Sequence, residues 1–283
     1  MRLQPPNRPP APPTEPAPPT PPRVIGPRQR GRASPAATGP TQGHVADDHE
    51  RPPRWPWLAL GLLAAFLAQF VLPGQFAWFL AAIPHEMGHA TIGCLLGHPS
   101  APAISLAGHA WAGIGEFRPW LPWCLALALA TLAWLQRERR PVAIALGALA
   151  LALPCVARSD LADVLIAAGG HAGELAFAAY CYALCWSGGH SDTRQERIAG
   201  AMAGAMLQVG SLRLGWGLLV DAGARAHYEV SGSLGLKNDL LVLAEDLCDC
   251  RLQSVASCLL LLAVLALPLG LWWGAAMARQ HGR

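Results

Sequence analysis

Charged residues are scarce in this sequence, and lysine is almost missing. Asp, Glu, Lys and Arg make up 14% of the 283 residues, against about 25% in typical soluble domains. This scarcity excludes an ordinary water-soluble domain as the bulk of the chain, and the net charge of +3 is too small to indicate a nucleic-acid partner. Lys237 is the only lysine beside 20 arginines, a bias that together with abundant Ala, Gly and Pro is typical of GC-rich bacteria.

The N-terminal segment lacks an apolar run. It holds 16 of the 26 prolines, and proline cannot continue a helix or a central strand because its φ is fixed and it has no backbone N–H. Without an apolar h-region, the segment is not a signal peptide. We therefore expect residues 1–54 to form a disordered Pro/Arg-rich tail and residues 55–283 to form a folded transmembrane domain.

Apolar segments dominate the chain from Trp55 onward. Residues 55–72 carry no charge, and a helix of this length rises about 27 Å, close to the thickness of a bilayer core. Backbone groups in lipid must be satisfied within the segment, which favours helices. Further apolar segments follow at 76–97, 120–135, 141–157, 160–186, 197–220 and 255–277. The predicted fold class is all-α: a polytopic bundle of about six or seven transmembrane helices, in contact with lipid in a bacterial inner membrane.

The charged connections leave the topology open. Basic clusters occur at 136–140, 193–197 and 279–283, and seven crossings would put all three on the cytoplasmic side. The same count puts the N-terminal tail on the opposite side, although Arg51 and Arg54 also favour the cytoplasm. Either one segment does not cross, or residues 98–118 cross or re-enter as non-helical chain.

Residues 84–89 read Pro-His-Glu-Met-Gly-His and carry the clearest chemical signal. In a helix, His85 and His89 project from one face and can hold a single zinc ion, and Glu86 can reach water beside it as a general base. The motif lies in an apolar segment, where ionisable residues are costly and usually functional. The alternative is a hydrogen-bonded polar cluster within a helix bundle.

An apolar first helix, HExGH in the second and the Gly-rich stretch Leu96–Gly108 resemble the site-2 protease family of intramembrane zinc metalloproteases. The resemblance covers about residues 55–118. It implies that His85 and His89 bind Zn²⁺ and that Glu86 is the catalytic base. It also implies hydrolysis of a transmembrane or membrane-associated protein substrate, with a membrane-embedded non-helical stretch near 98–118. In that stretch, His98 and His109 would help to bind substrate; the alternative is that both histidines are structural.

The sequence differs from that family in the third zinc ligand. The family uses the Asp of an LDG motif, and this chain has no LDG. Our preferred candidate is Glu174, because its carboxylate lies in an apolar segment without a neighbouring Lys or Arg. His171, one turn earlier, is then a ligand, an outer-shell partner or a transition-state donor. Asp239 is the alternative ligand, although Asn-Asp before an apolar run also indicates a helix N-cap.

Two other classes of function fit parts of the pattern. Glu86-x-x-His89, with His171-x-x-Glu174 as a reversed copy, indicates a di-iron carboxylate oxidoreductase. A non-enzymatic metal-binding membrane protein needs the histidines but not Glu86. The eight cysteines, mostly in apolar runs, are interpreted as buried small hydrophobic residues, with a cysteine metal site as the alternative.

Overall fold

A computed structural model describes residues 54–72, 74–105, 108–187, 193–230 and 237–281. The predicted tail, residues 1–54, lies outside these residues except for Arg54. The described chain forms helices and one hairpin of strands: α1 Trp55–Val71, α2 Gly74–Leu95, β1 Ser100–Ile104, β2 Ala110–Ile114, α3 Trp120–Leu135, α4 Arg140–Val156, α5 Leu161–Ser187, α6 Arg194–Val220, α7 Ala222–Val230, α8 Asp239–Leu241, a π-helix Val242–Leu247 and α9 Leu252–His281.

The all-α prediction is confirmed, because every predicted apolar segment is a helix. Three of these helices are long and apolar enough to cross a membrane: Leu161–Ser187, Arg194–Val220 and Leu252–Gln280. Helices α1, α3 and α4 are also apolar but shorter, with 17, 16 and 17 residues.

Helix α5 lies at the centre of the bundle and packs against α2, α6 and α9. Glycine allows α2 and α5 to approach closely. A Cβ atom on Gly88 would collide with the carbonyl group of Gly169. The backbones therefore touch where the His-Glu motif of α2 passes α5, so side chains from both helices share a small volume.

The predicted non-helical stretch is an antiparallel hairpin. Strands β1 and β2 pair from Ser100 opposite Ile114 to Ile104 opposite Ala110. The turn from α2 into β1 needs Gly97, whose φ of +96° favours glycine. Both strands contact α2, which brings the hairpin beside the His-Glu motif.

The interpretation of the cysteines as buried is right for two of them and wrong for most. Cys181 and Cys185 are buried within the bundle, and Cys94 is half-buried. The remaining five are exposed: Cys124, Cys155, Cys248, Cys250 and Cys258. Apolar neighbours in sequence did not predict burial, because the outer faces of helices such as α3 and α9 are themselves apolar.

Candidate metal centre

The two motif histidines point their Nε2 atoms at one place. These atoms lie 3.2 Å apart on the same face of α2, as the four-residue spacing predicts. The Oδ2 atom of Asp239 lies 2.8 Å from Nε2 of His85 and 3.0 Å from Nε2 of His89. The structure therefore brings together three potential ligand atoms from α2 and from the start of α8.

The opposite ring nitrogens fix the tautomers of these histidines. Nδ1 of His89 lies 2.7 Å from the carbonyl oxygen of Ile166, which can only accept, so this nitrogen carries the proton. Nδ1 of His85 lies 2.5 Å from Oε1 of Glu174, and an ionised carboxylate also only accepts. In neutral imidazoles both Nε2 atoms are then lone-pair acceptors. Together with the carboxylate oxygen of Asp239, they form a set of three acceptors that suits a cation.

Glu174 reaches the motif from the middle of α5, but on the side of His85 away from this convergence. Its Oε2 atom accepts a hydrogen bond from the hydroxyl of Ser211 on α6, at 3.2 Å. Glu174 and Ser211 are both buried. The preferred sequence candidate for third ligand therefore does contact the motif, yet through the nitrogen that does not face Asp239.

His171 lies against the ring of His85, with ring centroids 4.9 Å apart in an edge-on arrangement. Its Nδ1 atom is 3.5 Å from Oε1 of Glu174 and has no hydrogen-bond partner among the described residues. His85, His171 and Glu174 form a second group whose ligand atoms lie close enough together to hold an ion. In this group, however, the short hydrogen bond of His85 to Glu174 occupies the space between two of the three atoms.

The capping interpretation of Asn238 and Asp239 is wrong. Asn238 occupies the N-cap position of α8, but its side chain makes no cap hydrogen bond and instead donates to the backbone carbonyl of Tyr228 at 2.5 Å. Asp239 turns away from the helix and contacts the two histidines. Burial raises the pKa of Asp239, but the hydrogen bonds and positive charge that His85 and His89 supply in their protonated state outweigh burial and hold the pKa well below its usual range.

The segment that carries Asp239 continues into the π-helix Val242–Leu247. On the exposed side of this π-helix, Lys237 forms ion pairs with two acidic residues: its Nζ lies 2.7 Å from Asp246 and 3.4 Å from Glu245. These acidic neighbours raise the pKa of Lys237. π-helical turns are rare and often occur at functional sites. The position of Asp239, just before the π-helix, fits this tendency.

Sequence reasoning missed Gly170. A Cβ atom built on this residue would lie less than 3.0 Å from Nε2 of both His85 and His89. The absence of a side chain on α5 therefore makes the room in which the two imidazoles sit. The sequence did offer one signal, the Gly169-Gly170 pair directly before His171. Two adjacent glycines disfavour a helix, and the close approach of the two imidazoles explains why they occur in α5.

A cavity of about 750 Å³ opens beside the convergence point. Glu86 lines this cavity although the residue is only 7% exposed. His98 also lines it, and its Nδ1 lies 3.0 Å from the carbonyl oxygen of Gly115. His109, the other histidine predicted to bind substrate, is not among the lining residues. Apolar and aromatic side chains make up much of the wall, including Trp78, Trp111, Ile114 and Leu214.

No family model, no curated protein and no solved structure matches this chain.

Proposed function

We propose that this protein is a membrane-embedded zinc metallopeptidase that hydrolyses peptide bonds at or within the bilayer. The observation that carries the proposal is the convergence of His85 Nε2, His89 Nε2 and Asp239 Oδ2 in a cavity that Glu86 also lines. Two imidazoles and one carboxylate form a three-ligand set of the kind used in catalytic zinc sites, which keep a fourth position open.

We assign the third ligand to Asp239 rather than to Glu174. Asp239 contacts Nε2 of both histidines, whereas Glu174 contacts neither Nε2 atom. Glu174 instead lies at Nδ1 of His85, where outer-shell carboxylates of zinc sites are found. This assignment resembles the aspartate role in the site-2 protease family without that family's LDG sequence.

Glu86 is the proposed general base. Within the described part of the chain, no hydrogen bond or ion pair engages its carboxylate, so it is available to take a proton from water in the cavity. Zinc, when bound, supplies the Lewis acid that polarises the scissile carbonyl and makes water more acidic. Glu86 then returns the proton to the leaving nitrogen, as general acid–base catalysis of amide hydrolysis requires.

The strand that lines the cavity favours a peptide as substrate. Ala110, Trp111, Ala112 and Ile114 of β2 line it, and in the described chain β2 pairs with β1 only. The edge of a strand recognises extended peptides through main-chain hydrogen bonds. A transmembrane or membrane-associated protein with a locally extended segment would fit beside Glu86.

The surface and the depth of the site support a bilayer location. Large apolar side chains are exposed on α1, α3, α4 and α9, as lipid contact requires. Glu174 and His171 lie near the middle of α5, one of the three helices long enough to cross a membrane. We propose a multi-pass protein of a bacterial inner membrane.

The di-iron alternative has less support than zinc. Such sites share bridging carboxylates between two ions, supplied with Glu-x-x-His pairs from facing helices. Here Glu174 is engaged by Nδ1 of His85 and by Ser211, so it does not bridge toward Asp239. A non-enzymatic metal-binding role gives no reason for Glu86 to line the cavity.

The test is zinc-dependent cleavage by the purified full chain in proteoliposomes. The probe is a fluorogenic peptide with a single apolar span and a Gly/Ser-rich break, together with a panel of bacterial membrane peptides read by mass spectrometry. We expect cleavage that a zinc chelator abolishes and that added Zn²⁺ restores. Cleavage that persists after complete metal removal, or absence of cleavage across the whole panel, would contradict the proposed activity.

A further inference from the structure

We infer that Glu174 is a positioning residue, held by Ser211, that fixes the orientation and tautomer of His85. The inference rests on the proposed zinc site. Glu174 also lines the cavity, but its two oxygens are engaged by Nδ1 of His85 and by the hydroxyl of Ser211, so it acts through His85.

The two oxygens of the Glu174 carboxylate contact different helices. Oε1 takes the hydrogen bond of His85 Nδ1 at 2.5 Å, and Oε2 takes the hydrogen bond of the Ser211 hydroxyl at 3.2 Å. Each oxygen is thus committed to a different helix, α2 on one side and α6 on the other. A carboxylate fixed at both oxygens cannot rotate freely, so the ring of His85 is fixed with it.

The charge of Glu174 has no permanent counter-charge beside it. Glu174 is buried in the middle of α5, and its ion-pair partners in the described chain are the imidazoles of His85 and His171, which are charged only when protonated. A buried carboxylate without a compensating charge is strongly unfavourable. A cation at the Nε2 side of His85 compensates Glu174 through the imidazole, because the N–H of a metal-bound ring becomes a stronger donor. Metal binding and the Glu174–His85 hydrogen bond should therefore strengthen each other.

The two histidines differ in the group that holds Nδ1. Nδ1 of His89 is held by a backbone carbonyl, that of Ile166, whereas Nδ1 of His85 depends on a side chain. His85 can therefore lose its outer partner through a single substitution, and His89 cannot. Glu174→Gln keeps the size of the side chain but replaces a charged acceptor with a neutral amide.

The experiment measures zinc affinity of the full chain in detergent by competition with a chromophoric chelator. We expect Glu174→Gln to retain one zinc per chain but to bind it about 10–100-fold more weakly, the usual effect of removing an outer-shell partner. Cobalt substitution should give the same ligand-field bands in wild type and variant, because the ligand count is unchanged. Glu245→Gln, which alters an exposed carboxylate on the Asp239 segment, is the matched control and should bind zinc as wild type does.

Ser211→Ala separates positioning from a general structural role. In the wild-type background it should weaken zinc binding, and in the Glu174→Gln background it should have little further effect, because both act on the same hydrogen bond. Ser257→Ala is its control, since the hydroxyl of Ser257 bonds within its own helix to Gln253.

Two results would overturn the inference. One is zinc affinity of Glu174→Gln within twofold of wild type. The other is complete loss of zinc from Glu174→Gln while Asp239→Ala retains it, which would make Glu174 a direct ligand. Failure of the proposed activity is a separate result: a wild type that binds zinc but cleaves no peptide would contradict hydrolysis and leave the role of Glu174 standing.

Discussion

Oδ2 of Asp239 lies 2.8 Å from Nε2 of His85, although the two residues are 154 positions apart in sequence. The contact joins the motif helix α2 to a short segment that precedes the last long helix. It adds a carboxylate oxygen to the two Nε2 atoms and, in the proposed zinc site, determines which carboxylate faces the ion.

Loss of either motif histidine should remove the metal. We expect purified His85→Ala and His89→Ala to contain less than a tenth of the wild-type zinc after dialysis against a mild chelator, because two remaining ligands hold zinc weakly. Metal content per chain by mass spectrometry measures this. His227→Ala, at an exposed position on α7, is the control and should keep its zinc. Full zinc retention by both motif variants would contradict the metal assignment.

Glu86→Gln should separate metal binding from chemistry. The amide has nearly the shape of the carboxylate but cannot accept a proton from water. We expect normal zinc content together with a fall in peptide cleavage of about 10²–10⁴-fold, measured with the fluorogenic membrane peptide. Wild-type turnover by this variant would show that another group is the base.

Gly170→Ala should weaken zinc binding although residue 170 is not a ligand. The new methyl group meets Nε2 of both His85 and His89 at clash distance, so the imidazoles must move apart or α5 must retreat. The same chelator competition measures the change. Gly210→Ala on α6 is the matched control, because its Cβ atom meets nothing within 4 Å. Equal zinc affinity in both variants would mean that the rings have more room than the structure gives them.

Thiol accessibility should distinguish the buried Cys181 and Cys185 from the exposed Cys248 and Cys250. Cys248 and Cys250 are exposed just after the Asp239 segment, and Cys181 and Cys185 are buried on α5. We expect a water-soluble maleimide to label the first pair in the folded protein and the second pair only after denaturation, as read by peptide mass spectrometry. Rapid labelling of Cys181 in the native protein would contradict the packing of α5 at the centre of the bundle.

The helices and the His85–His89 pair could be predicted from sequence because both depend on local periodicity. Apolar runs of this length form helices, and a spacing of four residues puts two side chains on one helix face. The absence of a charged neighbour singled out Glu174 as a residue in need of a partner, and in the structure it contacts His85 of the motif helix. It did not indicate which nitrogen of His85 Glu174 would meet.

The remaining features are set by packing between segments far apart in the chain. The rotation of α5 against α2 decides that the carbonyl of Ile166 takes one imidazole N–H and that Glu174 takes the other. The placement of α8 beside α2 decides that Asp239 meets the histidines instead of capping a helix. Neither choice leaves a pattern in the local sequence, since Asn-Asp before an apolar run is equally suited to an N-cap.

The most direct test of the central claim is the zinc content of Asp239→Ala beside Asp246→Ala, under the same chelator challenge. Asp246 lies on the same segment but is exposed and pairs with Lys237, so its variant controls for disturbance of the segment. We expect one zinc per chain in Asp246→Ala and in wild type, and almost none in Asp239→Ala. Retention of zinc by Asp239→Ala, together with its loss from Glu174→Gln, would contradict the assignment of His85, His89 and Asp239 as the metal ligands.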